Sequence, residues 1–104
     1  MNRDLQKETD RQDPPLTRAD VEALLQQAGS SERLVLHARN LHGADLTNLR
    51  LAGADLSGAD LSGAYLSGAN LSRADLSGAI VTPDQLKSTR SLQGTILPDG
   101  AKHP

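Results

Sequence analysis

Between Leu34 and Pro83 the chain is written in fives: LVLHA, RNLHG, ADLTN, LRLAG, ADLSG, ADLSG, AYLSG, ANLSR, ADLSG and AIVTP. The middle position reads Leu36, Leu41, Leu46, Leu51, Leu56, Leu61, Leu66, Leu71, Leu76 and Val81, an unbroken apolar series. No regular helix or strand can use that series. Five residues of α-helix turn the chain by about 500°, so successive leucines land about 140° apart and scatter around the circumference. In a continuous strand, side chains alternate between faces and a step of five sends neighbouring leucines to opposite sides of the sheet. The recurrent Ser and Gly also oppose a long helix.

A chain that turns once per repeat satisfies the pattern. Ala and Leu, two apart on a short extended segment, point inward together, and the Ser-Gly that follows supplies small residues suited to a bend. Each repeat is then one side of a coil. Winding the coil stacks the leucines along an axis and lets the backbone pair with the turn above at about 4.8 Å. This explains the composition. Of 38 hydrophobic residues 18 are Leu and 13 are Ala, with one Tyr and no Phe or Trp, which suits a narrow interior and not a mixed aromatic core.

The flanks are of a different kind. Residues 1–15 mix both charge signs, hold almost no apolar side chains and end in two prolines, the composition of a disordered charged tail. Residues 16–30 read as a helix: Thr17 is placed to be the N-cap, Leu16 to staple onto Val21, and Gly29 to stop it. Val21, Leu24, Leu25 and Ala28 share one face. After the repeats, Thr82 and Gln85 have capping-box spacing, Pro83 suits the first helical position, and the predicted helix runs through DQLKSTRSL towards Gly94. TILPDG then reads as one more repeat, with Leu97 at its centre.

The run closely resembles the pentapeptide-repeat family, whose pattern is A(D/N)LXX; ADLTN, ADLSG, ADLSG, ANLSR and ADLSG match it outright. The TP(D/E)QL, SL, G, LPDG ending resembles that of many bacterial proteins of the family, so the likeness covers about residues 16–100. It implies an all-β solenoid, a right-handed quadrilateral β-helix with twenty residues per coil and about two and a half coils over 34–83. A short helix would cap each end, with the C-terminal one and a last repeat-like segment within 83–100. Caps keep core and strand edges of a solenoid from solvent.

With twenty residues per coil, outward residues stack in columns: Val35, Asp55, Asp75; Asn40, Asp60, Ile80; Asp45, Tyr65; and Arg50, Asn70. Asp55 and Asp75 invite an acid–base or metal reading, but Asp at this position belongs to the repeat and repulsion at that range is only ~1 kcal/mol in water. His37 and His42 lack the further ligands a metal site needs. Ser57, Ser62, Ser67, Ser72 and Ser77 recur as turn residues, with no nucleophile elbow or evident Ser-His-Asp arrangement, and the glycines spaced by fives form no phosphate-binding fingerprint. No catalytic, cofactor or metal site is therefore expected. Departures from the repeat are more informative. Arg39 replaces an inward Ala, and its guanidinium is expected to escape at the open first coil or meet the first helix near Asp20 or Glu22. Leu49 replaces another Ala and is expected to fill space beneath that helix. Arg50, Tyr65 and Arg73 break an otherwise uniform surface and form the candidate contact patch.

A formal net charge of −2 and one aromatic residue do not describe a nucleic-acid binder. Absence of Cys excludes disulfides and thiolate chemistry, and the charged segment after Met1 is no apolar leader, so a cytoplasmic protein without membrane attachment is expected. The expected function is a non-enzymatic module that binds an unidentified protein, present as a monomer or an end-to-end dimer. The resemblance implies an alternative, mimicry of DNA towards DNA gyrase with protection from quinolones. That role asks for a long, strongly acidic rod, and residues 34–83 carry four Asp against three Arg.

Overall fold

The computed structural model describes residues 14–104; of the tail predicted over 1–15, only Pro14 and Pro15 are among them. Parallel β-bridges join Val35 to Asp55 and Asp55 to Asp75, Asn40 to Asp60 and Asp60 to Ile80, Asp45 to Tyr65, and Arg50 to Asn70. Each of these spans twenty residues, and they fall in the columns that the family resemblance implies. The chain is a β-helical solenoid. Its bridges stay one residue wide because a corner follows every short extended segment, so extended strands never develop.

Each corner is a β-turn closed from its fourth residue to its first, as from Ala59 N–H to the Leu56 carbonyl at 3.1 Å. Its third residue takes positive φ, the place where a type II turn requires it. Glycine occupies that position in most repeats, and Ala38, Asn48 and Arg73 adopt φ of 58°, 60° and 59° in its stead. Between corners the coils pair through the backbone: Leu36 donates to the Asp55 carbonyl at 2.7 Å, and Asp55 donates to the Leu34 carbonyl at 3.0 Å.

Inside the coil, the nine central leucines from Leu36 to Leu76 are 0–2% exposed, and Ala44, Ala54, Ala59, Ala64, Ala69, Ala74 and Ala79 are buried beside them. Val81, the last of the predicted centre residues, is only partly buried against this core. Leu49 is buried at an alanine position, in the same cluster as Leu24 and Leu25 of the first helix. Arg39, at the equivalent position two coil sides earlier, is exposed.

Helix α1 spans Arg18–Ala28, with Thr17 as N-cap and Gly29 in the left-handed conformation at its C-terminus. Asp20 completes a capping box there by accepting the Thr17 amide. Val21 is fully buried, and Leu16, Leu24 and Leu25 pack against the core. The segment also satisfies carbonyls at the edge of the first coil. Leu16 N–H bonds the Asn40 carbonyl at 2.9 Å, the Arg18 guanidinium bonds those of Asp45 and Thr47 at 3.2 and 2.9 Å, and Ser31 Oγ bonds that of Ala52 at 2.6 Å. Ser31 opens a short 3₁₀ turn, Ser31–Arg33, that leads into the repeats.

The second helix is shorter than its sequence suggests. Helix α2 spans Pro83–Lys87, with the Thr82–Gln85 capping box in place, and the repeat geometry resumes at Arg90 instead of near Gly94. Arg90 N–H bonds the Ala69 carbonyl at 2.7 Å, and bridges join Asn70 to Ser91 and Asp75 to Ile96. These span twenty-one residues, so the helical excursion adds one residue and the stack continues. The backbone groups of 90–92 gain more by pairing with the coil below than by prolonging an exposed helix. Thr95 sits fully buried at an alanine position because its hydroxyl bonds the Leu71 carbonyl at 2.6 Å. The chain then reverses: Leu97 N–H bonds the Ala101 carbonyl, and Lys102 pairs antiparallel with Ile96. No helix among the described residues is long and apolar enough to cross a membrane.

Candidate functional site

The outer face is built by a local device that repeats with the sequence. In each Asp-Leu-Ser or Asn-Leu-Ser triplet, the carboxylate or amide oxygen accepts both the amide and the hydroxyl of the residue two positions on. Asp55 Oδ1 accepts Ser57 N–H at 3.0 Å and Ser57 Oγ at 2.5 Å; Asp60 treats Ser62 the same way at 3.0 and 2.6 Å, and Asp75 treats Ser77 at 2.9 and 2.7 Å. Asn70 holds Ser72, and Asp45 holds Thr47. These bonds fix the first half of each corner. They also hold the carboxyls of Asp45, Asp55 and Asp60 below the usual carboxylate range, through the hydroxyl first and the amide second. Asp or Asn two residues before Ser or Thr is present in every matching repeat and is the sequence signal for this device.

Stacking brings histidines onto two of these pairs. His37 Nδ1 lies 2.8 Å from Ser57 Oγ, and His42 Nδ1 lies 2.9 Å from Ser62 Oγ. Asp, Ser and His thus do meet twice on the surface, contrary to the expectation from sequence. Their order differs from that of a hydrolase triad, in which the imidazole sits between serine and carboxylate. Here the serine is in the middle. Its one proton goes to the carboxylate, so the imidazole Nδ1 must donate and cannot act as a base towards that hydroxyl. The clusters brace neighbouring coils and do not activate a nucleophile. Among the described residues, no three His, Cys, Asp or Glu side chains converge in a way that could hold a metal ion.

Asp55 and Asp75, the pair singled out from the sequence, face outward on consecutive coils, each with its own serine. The candidate patch of Arg50, Tyr65 and Arg73 is spread over more than one side. Tyr65 is 63% exposed in the column of Asp45; Arg50 bridges Asn70 in the next column. Arg73 occupies the corner beyond Asn70, where its guanidinium lies 3.8 Å from Glu32. Gly53 stands between these two partners in the stack. A Cβ there would meet Glu32 Cγ at 2.8 Å, so the bare glycine is what allows Glu32 to reach across the coil.

Two depressions mark the surface. An open groove of about 1040 Å³ runs along the second column from Leu16 and Asp20, past Arg39, Asn40 and Asp60, to Ile80. Arg39 therefore lines this groove with Asp20, without an ion pair among the described residues, while Glu22 is taken by Arg18 at 3.1 Å. A shallower one of about 480 Å³ lies between Arg50 and the end of α1. The first has one apolar end and mixed charges, the lining of a contact groove and not of a closed reaction chamber.

The profile of the family described as pentapeptide repeats matches residues 40–80 with eight copies. No curated protein matches the chain. Among solved structures, the chain is similar to HetL, a pentapeptide repeat protein involved in heterocyst differentiation regulation in the cyanobacterium Nostoc, at 37% identity over 66% of this chain and 36% of that one, with a TM-score of 0.48. It is also similar to a pentapeptide repeat protein of the Arabidopsis thaliana thylakoid lumen, at 32% identity over 61% of this chain and 43% of that one, with a TM-score of 0.31. The chain thus spans less than half the length of either.

Proposed function

The chain belongs to the pentapeptide-repeat family, and from that premise we propose that it is a non-enzymatic module that binds another protein through its outer sides. In this reading the solenoid is a right-handed, four-sided β-helix of about two and a half coils. Helix α1 caps one end, and α2 with the reversed C-terminal segment caps part of the other. The observation that carries the reading is the commitment of the repeat Asp and Ser side chains to one another, which leaves rigid faces of fixed shape and no activated group.

Affinity capture with the intact chain from source-cell lysate, followed by reconstitution with the purified captured protein, tests this reading. A stable complex of the two purified proteins is expected. Retention of no protein above a scrambled-surface control overturns it, and dose-dependent inhibition of DNA gyrase supercoiling at micromolar levels would replace it with DNA mimicry.

A further inference from the structure

The exposed aliphatic residues and the backbone hydrogen-bond pattern meet at one place, the last coil of the second column. In the coil below, Ala59 C=O accepts from Ile80 N–H and Leu61 N–H donates to Ile80 C=O, both at 2.9 Å. The equivalent groups one coil on are Ala79 C=O and Val81 N–H. Neither has a hydrogen-bond partner among the described residues. None of the described residues covers them, because the chain reverses after Leu97 and runs back along Ile96.

The neighbouring columns end differently. On the first, the reversed segment occupies the edge, with His103 N–H on the Thr95 carbonyl at 2.8 Å. On the third, the Gln85 side chain bonds the Ala64 carbonyl at 2.8 Å in place of the missing backbone donor. The fourth edge is also bare, but its outward residue is Ser91, whose hydroxyl accepts Gln93 N–H. At this end of the stack, among the described residues, the second column alone leaves both edge groups bare beside a large exposed apolar side chain, Ile80, 58% exposed at the end of the 1040 Å³ groove; beside Tyr65 the Ala64 carbonyl is taken by Gln85. An uncovered edge of this kind is a template for strand addition, which gains backbone hydrogen bonds and places alternate side chains in contact.

The charges around the edge select the occupant. Asp60 bridges Ile80 from below, Asp84 lies in the first turn of α2, and Asp99 lies in the turn after Pro98, whose carbonyl accepts Gly78 N–H. The cations stand farther off: Arg39 lines the same groove but two coils below Ala79, Lys87 is at the far end of α2, and Lys102 is on the reversed segment opposite Ile96. A second copy of this chain would bring the same aspartates against themselves. We propose that the Ala79–Val81 edge is a docking site for an extended, basic segment of a partner protein, which adds as a strand with an apolar residue beside Ile80. This deepens the protein-binding reading and rests on it.

The test titrates the isotope-labelled chain with two capped peptides, Lys-Val-Thr-Val-Lys and Glu-Val-Thr-Val-Glu, and follows backbone amides by NMR. The basic peptide is expected to shift Ile80, Val81 and Thr82 in a saturable way, and the acidic one not to. Val81→Pro deletes the free donor without removing any hydrogen bond the fold uses. It should keep a dispersed spectrum and weaken binding by roughly tenfold, the loss of about one hydrogen bond. Ile80→Lys should abolish it. Equal binding of both peptides, shifts centred on another column, or undiminished binding by Val81→Pro overturns the proposal. So do concentration-dependent shifts of these amides without peptide, which would make a second copy the occupant. If a captured partner binds with undiminished strength to Val81→Pro, the edge is wrong while the protein-binding reading stands.

Discussion

Gln85 Nε2 lies 2.8 Å from the carbonyl oxygens of both Leu61 and Ala64, while Oε1 of the same side chain accepts Thr82 N–H at 2.8 Å. One amide thus does two jobs at once. Its oxygen caps helix α2, and its nitrogen gives the Ala64 carbonyl the donor that elsewhere comes from the backbone of the next coil and gives the Leu61 carbonyl a second donor beside Ala64 N–H. Gln85→Glu keeps an acceptor for the cap and removes both donors. It is expected to lower unfolding free energy by about 1–3 kcal/mol in urea titration, since two carbonyls then face a carboxylate. Stability equal to the parent chain would show that the edge contacts contribute nothing.

The left-handed corner at Ala38 offers a gain. Replacing a non-glycine residue at φ of 58° relieves about 1–2 kcal/mol of steric strain against about 0.4–1 kcal/mol of extra unfolded-state entropy. Ala38→Gly is therefore expected to raise stability by about 0.5–1 kcal/mol, and Gly58→Ala, at φ of 69°, to lower it by a similar amount. Paired urea midpoints check both, and a shift of the same sign for the two variants contradicts the argument.

Inward and outward positions should differ sharply in tolerance. Leu61 is fully buried, so Leu61→Asp is expected to prevent folding, seen as loss of dispersed amide resonances. Ser67 is exposed, so Ser67→Asp should leave the spectrum folded and the melting temperature near that of the parent. Ser62 is the less neutral control, because its hydroxyl joins Asp60 to His42.

Acid should loosen the solenoid in a defined direction. The carboxyls of Asp45, Asp55 and Asp60 titrate below their ordinary value of 3.8 in the folded chain. Groups depressed in this way stabilise fully above the unfolded value, and the contribution is lost as pH falls through the folded one. Stability should hold from neutral pH down to about 5 with respect to these groups and decline below about 4. Ser57→Ala with Ser62→Ala removes the hydroxyl donors of two of them. That variant should be less stable at pH 7 and lose less on acidification; an unchanged acid slope in urea titrations at several pH values would refute the assignment.

Removing residues 16–29 should expose the first coil. Val21 leaves the core, and the carbonyls of Asn40, Asp45 and Thr47 lose Leu16 and Arg18 as donors. Aggregation or a marked fall in melting temperature is expected. Monomeric elution with an unchanged melting temperature would show that the helix is dispensable.

What the sequence discloses and what it hides have separate physical origins. The period of five carries the inward series because a single leucine per repeat leaves one register that buries them all, the twenty-residue columns come from the family resemblance, and Thr17 and Thr82 announce their caps through side-chain chemistry local to the chain. The end of α2 is less legible. Ser88 to Leu92 have no strong helical signal against them, and only pairing of Arg90 with Ala69, a contact across the stack, decides the matter. The same holds for His37 and His42. Their serines are twenty residues away, and the sequence puts them together only once the coil length is known. The approach of Arg73 to Glu32 is hidden for the same reason, since it crosses the stack from a corner to the turn before the repeats.

The one-residue surplus between Asn70 and Ser91 has a practical consequence. Height along the axis is set by the coil underneath and not by the count of residues since the last corner. A detour between Val81 and Arg90 therefore returns the chain to the correct level whatever its own conformation. Loops of foreign sequence grafted into that detour, with Gln85 or an equivalent amide retained, should be displayed on the solenoid without disturbing the turns that follow, which makes this corner the natural insertion point for a chain of this architecture.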